Sequence, residues 1–146
     1  MGKGGVVLAV LVLAACASRA PRAVDITAVN YAFQAPATLS PGPAVFRLIN
    51  LGSVPHEVQL FIFKPGIAAD SGRALLRQGR VPDSLSDSSG AVLIAAPHTT
   101  TPEEVYIDLQ PGRLYALVCE FRDSAGAPRH SQLGMFGVLQ VASASR

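Results

Sequence analysis

From Val24 onward the chain runs as short apolar stretches, rich in β-branched and aromatic residues, separated by breaks of proline, glycine and small polar residues. Side chains on a strand alternate between two faces, and stretches of this length bounded by turn residues predict β-strands. Six are expected: Val24 to Phe33, Ala44 to Asn50, Glu57 to Phe63, Glu103 to Leu109, Leu114 to Phe121 and Met135 to Val141. Turns are expected at Ser40-Pro41-Gly42-Pro43 and at Gln110-Pro111-Gly112, the second feeding the chain tightly into the strand that carries Cys119. The pattern predicts an all-β, antiparallel domain closed as a β-sandwich.

Residues 64–101 break the pattern. Ile67 to Gln78 has room for a turn or two of helix, whose Ala74, Leu75 and Leu76 would pack on the sandwich. Ser84 to Gly90 is dense in Ser, Asp and Gly and reads as exposed loop. The whole stretch reads as an insertion between strands.

The N-terminus carries an address. Lys3 precedes the apolar run Val6 to Leu13, which is too short to span a bilayer and has the form of a signal peptide. Leu13-Ala14-Ala15-Cys16 resembles the lipobox of bacterial lipoproteins, where the leader is cut before the cysteine and the thiol is lipidated. Residues 1–15 are therefore expected to be leader, 16–23 a lipidated tether, 24–142 one domain and 143–146 a tail. The mature chain would sit in the bacterial cell envelope, held to the membrane through Cys16, on the periplasmic or extracellular face.

Charge adds an exclusion. Twelve Lys and Arg against ten Asp and Glu leave a net charge of +2, and the cations are scattered, so no basic stripe exists for nucleic acid. The domain is expected to be a monomer. With two cysteines in all, a lipidated Cys16 leaves Cys119 as a lone thiol in an oxidising compartment, which calls for a chemical reason.

That reason lies in the last third of the chain. Alternation along Tyr115-Ala116-Leu117-Val118-Cys119-Glu120-Phe121 puts Tyr115, Leu117, Cys119 and Phe121 on the apolar, inward face. Arg122 to Ala127 has loop composition, and the chain returns through Pro128-Arg129-His130 and Gly134-Met135-Phe136-Gly137 into the last strand. Such a loop gathers a thiolate, an imidazole and a thioether at one end of a sandwich. A thiolate with two imidazoles and a weak thioether suits copper, since soft sulfur favours Cu(I) and nitrogen supports Cu(II). His56, where the loop after Asn50 enters a strand, is placed to be the second imidazole. The candidate metal ligands are His56, Cys119, His130 and Met135, holding one copper ion.

These residues resemble the cupredoxin family of type 1 copper proteins. Tyr115 to Cys119 matches the family's Tyr-x-x-x-Cys, His130 to Met135 its His-x4-Met, and Gly134-Met135-Phe136-Gly137 its Gly-Met-x-Gly. The resemblance covers Val24 to Val141 and implies a Greek-key sandwich. Small electron carriers of the family have a short Cys-to-His loop, whereas ten residues separate Cys119 from His130. The type 1 domain of copper nitrite reductases is similar in this respect, with a long loop ending in Pro-x-His-x4-Met-x-Gly. Nitrite reduction is not implied, because it needs a second copper site and a second domain.

The resemblance implies one-electron transfer with a redox partner protein, not enzymatic catalysis. It also implies that His130 lies near the surface, with Leu133 and Phe136 in the patch where partners dock. Two readings stay open beside it, copper delivery or sequestration by the same ligands, and a metal-free cupredoxin-like binding module. Among the ligands His130, on a long loop, is expected to be the looser and His56 the better pinned. His98 matches no motif and is left out of the site, and Glu57 and Glu120 are expected to face solvent. A Cys-His nucleophile would need a third orienting group, a structural zinc site paired cysteines or histidines, and a phosphate site a glycine-rich loop; the sequence offers none of these.

Overall fold

A computed structural model describes residues 20–79 and 83–144, so the leader and Cys16, with its expected lipidation, lie outside the described residues. The strands are β1 (Arg22–Val29), β2 (Ala32–Gln34), β3 (Thr38–Leu39), β4 (Gly42–Asn50), β5 (His56–Phe63), β6 (Ser86–Ala95), β7 (Val105–Leu109), β8 (Leu114–Val118) and β9 (Phe136–Val141). They form a four-stranded sheet, β2-β1-β4-β7, and a five-stranded sheet, β3-β9-β8-β5-β6. One helix, α1 (Ala69–Arg77), follows β5. Among the described residues no helix is long and apolar enough to cross a membrane.

Alternating inward residues of both sheets make the core, with Ile26, Phe46, Leu48, Leu60, Tyr115, Leu117 and Leu139 fully buried. The expected turn at Gln110-Pro111-Gly112 joins β7 to β8, and Gln110 N–H donates to the Tyr115 hydroxyl at 3.3 Å, closing that corner. All five residues of β8 are buried. Its Leu114, Ala116 and Val118 form a second cluster on the outer face of the sheet with Phe63 and Leu76 of α1. Leu76 packs there as expected and Leu75 is half-buried, while Ala74 faces solvent.

Four expectations change. The first strand is two: Asn30 and Tyr31 take positive φ of 33° and 65°, turning the chain between Val29 and Ala32. The sheets are not wholly antiparallel, because β1 pairs with β4 and β3 with β9 in parallel. The chain leaves the first sheet after β2, adds β3 to the other, and re-enters as β4 in the direction of β1. Leu114 to Phe121 leaves the regular ladder after Val118.

The fourth change concerns Ser84 to Gly90, which is not exposed loop. Residues from Ser86 onward belong to β6, which pairs antiparallel with β5 from His56↔Ala95 to Phe63↔Ser86 with two register shifts. Gly90 is what permits this. A Cβ there would sit 1.7 Å from the Leu60 carbonyl oxygen, a backbone approach open only to glycine. The stretch read as an insertion thus supplies an edge strand beside the strand that begins with His56.

Candidate metal centre

Three strand ends meet at one end of the five-stranded sheet. His56 is the first residue of β5, Cys119 follows the last residue of β8, and His130 opens a 3-10 turn (His130–Leu133) leading through Gly134 and Met135 into β9. Since β8 lies between β5 and β9, antiparallel to both, these ends are neighbours in space.

The side chains converge. His56, Cys119 and His130 are all buried, and their ligand atoms lie within 4.8 Å of one another. Cys119 Sγ is 3.4 Å from His130 Nδ1 and 4.0 Å from His56 Nδ1, and the two Nδ1 atoms are 3.2 Å apart. Met135 is fully buried in the same core cluster as Cys119, whose N–H donates to the Met135 carbonyl at 3.2 Å. His98, left out from sequence, is exposed and takes no part.

The backbone of the long loop is tied back onto the strand it leaves. Ser131 N–H donates to the Cys119 carbonyl and His130 N–H to that of Phe121, both at 2.8 Å, so residues 122–129 protrude from a closed neck. Two carboxylates brace the neck, contrary to the expectation that they face solvent. Glu57 is only 6% exposed, and its Oε1 accepts from Glu120 N–H and from Gln59 Nε2, each at 3.0 Å. This ties the residue after His56 to the residue after Cys119. Glu120 accepts from Ser131 Oγ at 2.7 Å and pairs with Arg129.

The far edge of His130 holds a residue that the sequence reading missed. Asp123 Oδ1 lies 3.0 Å from His130 Nε2, and its other oxygen accepts from the Tyr31 hydroxyl. Tyr31 stands edge-on to both imidazoles, with ring centroids 5.0 Å from His130 and 6.3 Å from His56. His130 is therefore only 1% exposed. The open docking edge that the resemblance implied is covered by a phenol and a carboxylate. Asp123 sits in an ordinary loop stretch, and its partner is 92 positions away; no local signal marks it.

Burial favours the uncharged forms of His56 and Cys119. Burial lowers the His56 pKa, with His130 adding to the effect and Asp123 opposing it. Burial likewise raises the Cys119 thiol, against backbone hydrogen bonds from Glu57 and Phe121. The Tyr31 hydroxyl, and then His130, hold Asp123 below the ordinary carboxylate range. An ionised carboxylate only accepts, so His130 Nε2 is the donor to Asp123, and Nδ1 is the ring nitrogen on the side of Cys119 and His56. His56 Nε2 is buried without a hydrogen-bond partner, above Gly52. Two imidazoles and one thiol facing inward, with the buried Met135 thioether just before β9, make a donor set that fits copper, and among the described residues this cluster holds no hard oxygen ligand.

No family model matches the chain, nor does any curated protein. Solved structures do. The dithionite-reduced auracyanin of the photosynthetic bacterium Roseiflexus castenholzii matches at TM-score 0.51 and 18% identity, over 85% of this chain and 99% of that one. Auracyanin A of Chloroflexus aurantiacus, described as a "blue" copper protein, gives TM-score 0.48 and 22% identity over 84% of this chain and 99% of its own. The first shows the fold: two sheets packed face to face in a β-sandwich like that of the auracyanin.

Proposed function

We propose that this protein is a copper-binding electron carrier of the bacterial cell envelope. One copper ion is held by His56 Nδ1, Cys119 Sγ and His130 Nδ1, with the Met135 thioether as a weak fourth donor. The observation that carries this reading is the meeting of a buried thiol and two inward-turned imidazole nitrogens within 4.8 Å. The metal supplies the one-electron chemistry. The chain fixes three donors at strand ends, excludes water from them and releases the thiol proton on metal binding. No other chemistry is asked of the residues, so the protein is a shuttle for a redox partner, not an enzyme.

An absorption spectrum after addition of Cu(II) tests the reading. An intense visible thiolate-to-copper band is expected from the native chain and none from Cys119→Ser, which leaves a weaker site of nitrogen and oxygen donors. A Cys119→Ser variant that stays strongly coloured sinks the assignment. Copper held only as Cu(I), with no band in any state, selects delivery over electron transfer. Anchoring is part of the proposal: Leu13-Ala14-Ala15-Cys16 supports lipidation at Cys16. Labelled fatty acid should enter the native protein and not Cys16→Ser.

A further inference from the structure

The metal-facing side of His130 is accounted for by the copper reading, but the opposite side is not. A ligand imidazole needs only its Nδ1 lone pair free, and a ring edge left in water would serve that need. Here the edge is closed by a relay from a distant turn, with Tyr31 Oη donating to Asp123 Oδ2 and Asp123 Oδ1 accepting from His130 Nε2. The turn pays in backbone conformation. Asn30 and Tyr31 form the two-residue hairpin turn between β1 and β2, where both residues take positive φ; Asn suits the first position, but the second ordinarily takes glycine, and here it carries the bulky Tyr31. Strained residues persist where the surroundings hold them, and they cluster at functional sites. What the conformation achieves here is the position of one phenol, edge-on to both imidazoles with its hydroxyl on the carboxylate.

The geometry points to Asp123 as a positioning residue of the copper centre, with Tyr31 fixing Asp123, so that the pair orients His130 and lowers the reduction potential. This rests on the copper reading above. Both oxygens of Asp123 are committed, one to the ring and one to the phenol, so His130 cannot rotate about its Cβ–Cγ bond without breaking a charge-assisted hydrogen bond. A carboxylate bonded to the far nitrogen makes the imidazole a stronger donor. Its negative charge lies one ring away from the metal position. Both effects stabilise Cu(II) more than Cu(I), and the potential falls. Asp123 and Tyr31 touch no metal themselves; they act through His130.

The test uses the full copper-loaded chain and three variants, Asp123→Ala, Asp123→Asn and Tyr31→Phe. The readouts are the visible band, the reduction potential, and Cu(II) and Cu(I) affinities by chelator competition. Loss of such an outer partner costs about 10- to 100-fold in metal affinity. Asp123→Ala is expected to lose that much for Cu(II) and clearly less for Cu(I). A tenfold change in the ratio of the two affinities raises the potential by about 59 mV. Asp123→Asn keeps an acceptor and loses the charge, so the band should stay in place while the potential still rises. Tyr31→Phe should shift the potential in the same direction by less. If Asp123→Ala does not fold, the other two variants carry the test. Variants that lower the melting temperature but keep the native affinity ratio and potential would make the relay merely structural and overturn the proposal. A native chain without the visible band removes the electron-transfer reading and this inference with it, whereas a coloured native chain with unshifted variants removes the inference alone.

Discussion

His56 and His130 bring the same ring to the same point by opposite means. His56 begins a central strand, its backbone paired with Ala95 of β6, yet its ring has a buried Nε2 with no partner. His130 follows a ten-residue loop, yet its main chain is bonded to Phe121 and its Nε2 to Asp123. Loop length suggested that His130 would be the looser ligand. The bonds place more restraint on its ring than on that of His56. What holds a ligand side chain is the partner of its far nitrogen, and the element carrying its backbone says little about it.

The largest effect that bears on this pairing comes from the metal. A ligand that binds only the folded state stabilises it by about 4 kcal/mol at a thousandfold excess over Kd, less whatever a lone Cys119 binds when unfolded. The melting temperature should rise clearly with copper, and His56→Ala and His130→Ala should each lose most of that rise. An equal and undiminished rise in both would place the copper elsewhere.

A smaller effect should appear on the His56 side only. An added Cβ at Gly52 would lie 3.0 Å from His56 Nε2 and 3.2 Å from Asn50 Oδ1, and Asn50 also holds the loop by donating to the carbonyls of Val54 and Ala95. Gly52→Ala is expected to cost about 1–3 kcal/mol by overpacking and to displace the ring. Denaturant midpoints and the copper spectrum measure the two consequences. Native values in both would mean that the ring yields freely, and the contrast with His130 would sharpen.

The smallest effect is graded and belongs to the metal-free chain. The folded His56 pKa lies below the unfolded value of about 6.5, so the unfolded state takes up the proton first. Its contribution to stability is therefore complete above that pH and is lost as pH falls toward the folded pKa, by at most about 1.4 kcal/mol per unit. Cys119 acts at the other end: its raised thiol pKa gives stability below the ordinary value of 9.0 that is lost as pH rises. Urea midpoints against pH should show both limbs, with His56→Ala flattening the acid one. A native acid limb no steeper than that of His56→Ala would mean the ring is solvated.

The meeting of Cys119 and His130 was legible because its spacing lies within one stretch of chain, Tyr115 to Cys119 and then His130 to Met135, with alternation giving Cys119 its inward direction. The sandwich was legible for the same local reason. The first half of β6 was not, since Ser86 to Gly90 carry none of the β-branched residues that mark a strand, and only the approach to Leu60 shows why glycine stands there; its second half carries Val92 and Ile94, a strand signal hidden inside the stretch read as an insertion. Glu57 was expected in solvent because a carboxylate beside the metal would favour harder ions, but the neck of the loop between Cys119 and His130 covers its side chain. Asp123 and Tyr31 were beyond reach, as a contact between two turns leaves no periodicity in either.

The centre also has a place in time. Cys119 and His56 are 63 positions apart, and the site exists only once β8 has docked beside β5 and β9 beside β8. Pairings of such separation form slowly, because a long loop must close before any contact repays it. During synthesis the first histidine waits for most of the chain, and the thiol emerges among the last elements. On the copper reading the donor set therefore cannot template its own fold: an ion arriving early would meet a lone sulfur or a lone imidazole, and the centre would be a late product of assembly, filled after the sandwich has closed.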